Sequence, residues 1–472
     1  MTGGGSGGSE GHGLPNDGRF KQIVCSILLT MTTLFSGASQ GWMSPMTTKL
    51  RADDSPVGPL SKDDVSNLAT IPNYIGLFVG LALAVIMNKL GRKYALLVMA
   101  VVSTAGGLVL SFANSMTLLY VGRALVGTGN GAVTVAPMIV SESVHSSLRG
   151  TMMALCSFQI NTGILFSYVF GKLLSYKLFN LVMTVIPAMI IVLGFYLPET
   201  PHFLVSKNRT KAAMQSLVWW RGGNREVARI ELETIEPPSE GKISFARALS
   251  TRQSKIAFLV TIGGFLFQTF SGIHVVINYN SLIFDDIGNG PLPPDDLSII
   301  IAVLITLATF VNSVLIDFAG RRPLIIFSFL GSAVSLGALT TYIIILKSGA
   351  DMGSLTWVPV ACIGSFVVSY GIGVAVVPAV LMNELCPTES KPTLAACVGI
   401  AAFGGLITVL QTFVFIEEHI GLYMCFLIPT VMNVLGTIFS YIVVPETKNK
   451  SLAQIANELN RLKDDENEEG EE

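Results

Sequence analysis

The sequence predicts an all-α membrane protein of twelve transmembrane helices in two pseudo-symmetric six-helix halves. Three observations carry that prediction. The 472-residue chain is 51% hydrophobic and only 13% charged, with a mean hydropathy of +0.61, against about 25% charged residues in a typical soluble protein. Twelve segments reach the roughly 20 mainly apolar residues that a helix needs to cross a bilayer. Short motifs also recur at a nearly constant offset of about 240 residues, as they do when one multi-helix unit is present twice.

The echoes are specific. Leu90-Gly91-Arg92-Lys93, a basic turn between two apolar runs, returns as Ala319-Gly320-Arg321-Arg322. Pro198-Glu199-Thr200-Pro201 closes the first block of apolar segments, and Pro445-Glu446-Thr447-Lys448 closes the second. Glu142 and Arg149 are matched by Glu384 and Lys391.

In chain order, residues 1–22 begin rich in Gly and polar groups and are expected to form a disordered N-terminus. They lack the basic n-region and cleavage site of a signal peptide, so the first apolar run stays in the mature protein. The first six-helix unit, residues 23–197, has spans at Ile23–Pro45, Leu68–Met87, Tyr94–Ala113, Thr117–Val140, Met152–Leu174 and Leu178–Leu197. A linker, residues 198–255, follows. Within it Lys211–Trp220 and Arg225–Ile235 read as short amphipathic helices, and Trp219-Trp220 favours packing on the bundle or the headgroup layer. The second unit, residues 256–444, has spans at Ile256–Phe284, Leu297–Ile316, Pro323–Leu346, Trp357–Met382, Thr393–Ile416 and Leu422–Val444. Residues 445–472 form an acidic tail.

Loop charges set the orientation. Lys89, Arg92, Lys93, Arg149, the linker from Lys207 to Lys255, Arg321, Arg322, Lys391, Lys448 and Lys450 gather on one side. The opposite loops carry Asp285, Asp286, Asp295, Asp296, Glu417 and Glu418, with a mixed first loop. Both termini and the linker are therefore expected in the cytoplasm. A formal net charge of −2 points to no nucleic acid as partner. The six cysteines lie in or beside apolar runs without CxxC spacing and read as small buried hydrophobes. No metal or other cofactor is expected.

Taken together, the motifs resemble those of the sugar porters of the major facilitator superfamily, from Gly37 to Ser451. The points of likeness are Gly91-Arg92-Lys93; Gly122-Arg123 with Gly127, Gly129 and Gly131; Pro137, Glu142 and Arg149-Gly150; Pro198-Glu199-Thr200-Pro201; Gln268 with Ser271-Gly272; Gly320-Arg321-Arg322; Glu384 with Pro387; and Pro445-Glu446-Thr447-Lys448. Gly41-Trp42-Met43-Ser44-Pro45 and Asn161-Thr162-Gly163-Ile164-Leu165 are most similar to runs in insect facilitators of trehalose and glucose. The resemblance implies a major facilitator fold and transport by rocking two halves about a central site. The glycines of the fourth span are not a nucleotide loop, since no strand precedes them; they suit close helix packing.

Charges at cytoplasmic helix ends are costly unless paired. Arg92, Arg149, Arg321 and Arg322 are thus expected to pair with Glu142, Glu199, Glu384 and Glu446. The pairs would latch the two halves together when the cavity faces outward and part when it faces inward. The family's Asp in the first basic motif is Asn88 here.

Polar residues inside apolar spans are the candidate solute ligands. The seventh span offers Gln268, Thr269, Ser271, His274, Asn278 and Tyr279; the fifth offers Gln159 and Asn161; the first offers Ser39 and Gln40. Gln268 leads, because it matches the family's binding glutamine and an amide both donates to and accepts from a sugar hydroxyl. The likeness thins elsewhere. The second glutamine is Thr269, the cavity tryptophan is Ala379, the eleventh-span asparagines fall on Ala402 and Leu406, and the tyrosine after Pro137 is Ile139. Each unmet sugar hydroxyl costs roughly 1–3 kcal/mol, so a different polyol or small organic solute is an alternative to a hexose or trehalose.

Ile23 to Met46 holds no Asp, Glu, Lys or Arg. Ser39 or Gln40 stands where a proton-coupled member carries Asp, which leaves Arg123 without that partner. Facilitated diffusion is expected. A transporter-derived sensor or scaffold is the second reading. A membrane enzyme is the third, and the scatter of His12, His145, His202, His274 and His419 speaks against it.

Overall fold

The computed structural model describes residues 16–52, 55–58, 60–235, 245–287, 292–349, 355–387, 390–448, 450 and 454. The expected N-terminal tail up to residue 15, and the acidic tail apart from 445–448, 450 and 454, lie outside them. Among the described residues, twelve helical stretches are long and apolar enough to cross a bilayer. The first half runs α1 Asn16–Gly41, α2 Met43–Arg51, α3 Lys62–Lys89, α4 Arg92–Ser111, α5 Met116–Gly127, α6 Ala132–Ser143, α7 Ser146–Leu173 and α8 Tyr176–Tyr196. Four short helices follow: α9 Pro201–Ser206, α10 Thr210–Trp220, α11 Arg225–Thr234 and α12 Phe245–Ala248. The second half runs α13 Arg252–Phe270, α14 Ile273–Ile287, α15 Pro294–Ala319, α16 Arg321–Lys347, α17 Val358–Ile372, α18 Val377–Leu385, α19 Lys391–His419 and α20 Leu422–Val443.

The first helix starts at Asn16, so residues 16–22 are helical rather than part of a disordered N-terminus. Gln22 shows why: fully buried, it donates to the Trp220 carbonyl at 2.9 Å and accepts from the His145 N–H at 2.9 Å. The linker is likewise fastened to the first half. Trp220 is buried, and Arg221 donates to the Ser143 carbonyl at 2.8 Å and to Glu231 at 2.6 Å. Trp219 packs edge-on to Tyr196 and takes Lys21 over its face at 3.5 Å. The tryptophan pair therefore packs on the bundle.

Spans one, four, seven and ten, the first of each group of three, are interrupted. The breaks fall at Trp42, at the 3-10 turn Thr128–Gly131, at Ser271–Gly272 and across residues 373–376. A break inside a bilayer strands carbonyls that water cannot reach. Side chains supply the missing donors. Ser167 Oγ reaches the Ala38 carbonyl at 2.6 Å, and Asn433 Nδ2 reaches the Ser271 carbonyl at 2.9 Å. Close packing holds the neighbours in place. A Cβ at Gly37 would stand 1.9 Å from the Ile160 carbonyl oxygen, and one at Gly163 2.0 Å from that of Leu34. Glycine is what lets α1 and α7 touch backbone to backbone.

The halves meet at the end that carries the acidic loops. Lys62 pairs with Glu417 at 2.9 Å, and Lys172 pairs with Asp296. Ser44 Oγ and Ser281 Oγ lie 2.9 Å apart, and Ser281 donates to Asp295 at 3.1 Å. Nearer the middle, Tyr168 donates to the Ile277 carbonyl at 2.6 Å and Asn161 to Thr309 at 3.3 Å. Further along the Asn161 face of α7, Gly150, Thr151, Ala154 and Ser157 are exposed. The cleft is thus closed at the acidic end and opens toward the basic end. Replacing Lys62 and Lys172 together by Gln should shift the equilibrium toward opening at the acidic end by about 1 kcal/mol, roughly fivefold. Maleimide labelling of Ser44→Cys, a position buried in this state, measures the shift.

Candidate functional site

A cavity lies between the halves at mid-depth. The first half lines it with Ser39 and Gln40 of α1, Ala69, Pro72 and Asn73 of α3, Arg123 of α5, and Asn130. The second half adds His274 and Asn278 of α14 and Leu406 of α19.

Pro72 organises the first-half wall. Proline has no N–H, so a proline inside α3 leaves the Leu68 carbonyl without its helical partner. Arg123 Nε donates to that carbonyl at 3.0 Å. Its Nη1 donates to the Ser39 carbonyl at 3.2 Å, one of those stranded where α1 ends. The guanidinium also lies 4.5 Å from the centre of the Trp42 ring. A buried cation with no carboxylate beside it is therefore held by two backbone dipoles and an aromatic face. Asn130 completes the wall, donating to the Pro72 carbonyl at 3.1 Å and accepting from Ser36 at 3.3 Å.

Among the predicted ligands, Gln40, His274 and Asn278 come together here. Gln268 does not line the cavity. Its Nε2 serves the break between α17 and α18, with the Val374 carbonyl at 2.9 Å and the Ala375 carbonyl at 3.2 Å. Thr269 is buried and bonds back to the Phe265 carbonyl at 2.8 Å. Tyr279 is buried at the kink of α14, donates to the Leu410 carbonyl at 3.1 Å and stacks on Phe413. Gln159 and Asn161 are on α7 outside the cavity wall, and Asn161 bridges to Thr309. Asn73 and Asn130 were not among the candidates. The rule that picked the others, a polar side chain in an apolar span, points to Asn73 as well. Asn130 was hidden in a glycine run read only as packing.

The charged residues at the basic end form two copies of one cluster, each inside its own half. Glu199 accepts from the backbone N–H groups of Arg92 at 3.0 Å, Lys93 at 3.2 Å and Thr200 at 2.9 Å. It thereby caps the positive end of α4. Glu142 takes the Arg92 guanidinium at 2.8 Å and the Thr200 hydroxyl at 2.6 Å. In the second half, Glu446 accepts from the N–H groups of Arg321 and Arg322 at 3.1 Å, and Glu384 takes Arg321 at 2.9 Å and the Thr447 hydroxyl at 2.5 Å. In this state, open toward the basic end, these carboxylates hold span ends together within a half, and the expected latch between the halves belongs to the state open at the other face. Arg322 donates to the Tyr441 carbonyl at 2.6 Å, and Arg149 makes one long contact, 3.5 Å, with the Val144 carbonyl. Burial holds the Glu199 carboxyl above the usual carboxylate range, against the backbone N–H groups that pull it down.

The glycines before these arginines are required twice over. Gly91 has φ +115° and a Cβ there would sit 2.1 Å from Glu199 Oε2; Gly320 has φ +90° and its Cβ would sit 2.7 Å from Glu446 Oε2. Gly91→Ala should destabilise the protein by about 1–3 kcal/mol, whereas Gly150→Ala, with open space at its Cβ, should leave the unfolding temperature unchanged. Thermal unfolding in detergent compares them. Arg123→Lys loses the planar fork and should cost about 1–3 kcal/mol in the same assay by orphaning a carbonyl.

The model of the family described as "Sugar (and other) transporter" matches residues 25–459. The chain is 29% identical to the facilitated trehalose transporter Tret1 of Polypedilum vanderplanki over 446 residues, covering 93% of this chain and 88% of that one. It is 28% identical to the Bombyx mori protein of the same name over 445 residues, covering 93% and 86%. Among solved structures it is similar to the inward open conformation of the xylose transporter XylE from E. coli, with TM-score 0.73 and 19% identity, over 92% of this chain and 99% of that one. That likeness establishes the fold.

Proposed function

The chain belongs to the sugar (and other) transporter family, and on that premise we propose that it carries a sugar such as a hexose or trehalose across the plasma membrane by facilitated diffusion. Its halves rock about the mid-depth cavity, opening it alternately to the two faces. The basic end, with the linker and both termini, faces the cytoplasm, as the loop charges favour. The observation that carries the reading is the cavity itself: it is polar, shared by both halves, and lined among the described residues by four amides, the His274 imidazole, Ser39 and one fixed arginine, without a carboxylate.

That wall also supports uniport over proton coupling. A coupled carrier needs a buried acid that changes charge during the cycle, and Arg123 is instead compensated by the Ser39 and Leu68 carbonyls. The names of the relatives favour trehalose. Counterflow in proteoliposomes with labelled D-glucose and trehalose tests the proposal. One of the two should exchange at a rate unchanged by a protonophore, and uptake that collapses with the proton gradient would refute uniport. Binding without exchange would favour the non-transporting sensor. Gln268→Ala should lower the unfolding temperature by removing the donor at the α17–α18 break and should change half-saturation by less than about threefold.

A further inference from the structure

We infer that the cavity between the halves holds an anion site centred on Arg123, where a small monovalent anion fills the place of the carboxylate that the first span lacks. The inference goes beyond the transport reading, since it concerns the partner of a buried charge. Three other arginines show the usual solution. Arg221, fully buried, holds Glu231 at 2.6 Å. Arg92 holds Glu142 at 2.8 Å, and Arg321 holds Glu384 at 2.9 Å. Arg123 is 1% exposed, and the cavity it lines has no carboxylate among the described residues. A guanidinium keeps its proton, so burial does not neutralise it. The Leu68 and Ser39 carbonyls take Nε and Nη1; they solvate the charge without cancelling it. Nη2 has no hydrogen-bond acceptor among the described residues. The Trp42 ring covers the guanidinium at 4.5 Å and is itself fixed by its indole N–H, which donates to Asn180 at 2.8 Å.

The rest of the wall offers donors. Gln40 and His274 line the cavity from opposite halves, are half-buried, and have side chains that make no hydrogen bond among the described residues. A glutamine amide carries two N–H groups and a neutral imidazole carries one. Ser39 lines the same cavity at 1% exposure, and its Oγ has no partner among the described residues. The N–H groups of Asn73 and Asn130 already serve the Ala69 and Pro72 carbonyls. A cation here would meet the like charge of Arg123. A neutral guest can accept from these donors and leaves the charge uncancelled. An anion accepts from them and cancels it. The chemistry required is one negative charge of modest size, supplied either by a free halide or by the carboxylate of a solute.

The test uses the full chain in detergent, with sodium bromide as the probe and sulfate holding the ionic strength. Bromide quenches indole fluorescence, and Trp42 stands against Arg123. Quenching should saturate in the wild type and lose its saturable part in Trp42→Phe. In Gln40→Asp, whose carboxylate would take the site and repel the ion, halide binding should weaken by more than about tenfold. Chloride should raise the unfolding temperature of the wild type and leave that of Gln40→Asp unchanged, a readout that needs no tryptophan. D-Gluconate separates the two sources. If a solute's carboxylate is the ligand, gluconate displaces bromide and exchanges in proteoliposome counterflow; if a free halide is the ligand, it does neither. Both results keep the site. Linear quenching with no chloride shift in the wild type would overturn it. So would saturable quenching that survives in Trp42→Phe, or that keeps wild-type strength in Gln40→Asp. Binding is read here without transport, so failure of the anion site leaves the glucose and trehalose counterflow result standing, and failure of that exchange leaves the anion site standing.

Discussion

Hydrocarbon offers a backbone carbonyl no hydrogen-bond donor, and this protein breaks four of its twelve spans inside the bilayer. Most of its buried polar architecture follows from that. Each stranded carbonyl must be answered by a side chain from a neighbouring helix. Ser167 answers the end of α1, Arg123 answers both α1 and the proline gap in α3, Asn433 answers the break in span seven, and Gln268 answers the break in span ten. These bonds tie unlike helices within a half at mid-depth, where apolar packing alone has little directionality. They also leave a few polar atoms over.

The basic end solves a different problem with repeated parts. A positive φ at glycine lets the chain turn sharply, and the next helix then begins with its N–H groups exposed. A carboxylate from the Pro-Glu-Thr segment covers those groups in each half, while an arginine on the first turn reaches a second carboxylate. Because every acid is engaged by its own half, each half is fastened as one body. Rocking is left to the contacts between bodies. Closure in this state is carried at the acidic end by Lys62, Lys172 and the Ser44–Ser281 contact.

The sequence made the helices legible because hydrophobic length and the repeat are properties of the chain alone. It also marked Gly91 and Gly320, and Glu199 and Glu446, as counterparts in the two halves, since motif echoes survive in linear order. The interruption at Trp42 was only partly legible: Gly41 and Pro45 flank it, and Pro45 has no N–H to return to the Gly41 carbonyl, yet Ile23–Pro45 is long and apolar enough to read as one helix. Site residues were legible by type and not by role. Gln268 and Asn278 are both amides in the same span, yet one faces a neighbouring break and the other the cavity. Which way an amide turns depends on where other helices lose a hydrogen bond, and that information is non-local. Pro72 was the available clue, because an intramembrane proline frees a carbonyl that something must answer: Arg123 donates to the freed Leu68 carbonyl, and Asn130 to the carbonyl of Pro72 itself.

One feature of the acidic rim bears on how the duplicated chain assembles. Lys62 and Lys172 both belong to the first half, while Glu417 and Asp296 both belong to the second. The ancestral twofold likeness of the units is therefore cancelled in sign at this edge. Two copies of the same half brought face to face would oppose lysine to lysine or acid to acid, and repulsion of that kind is an economical way to forbid a wrong pairing.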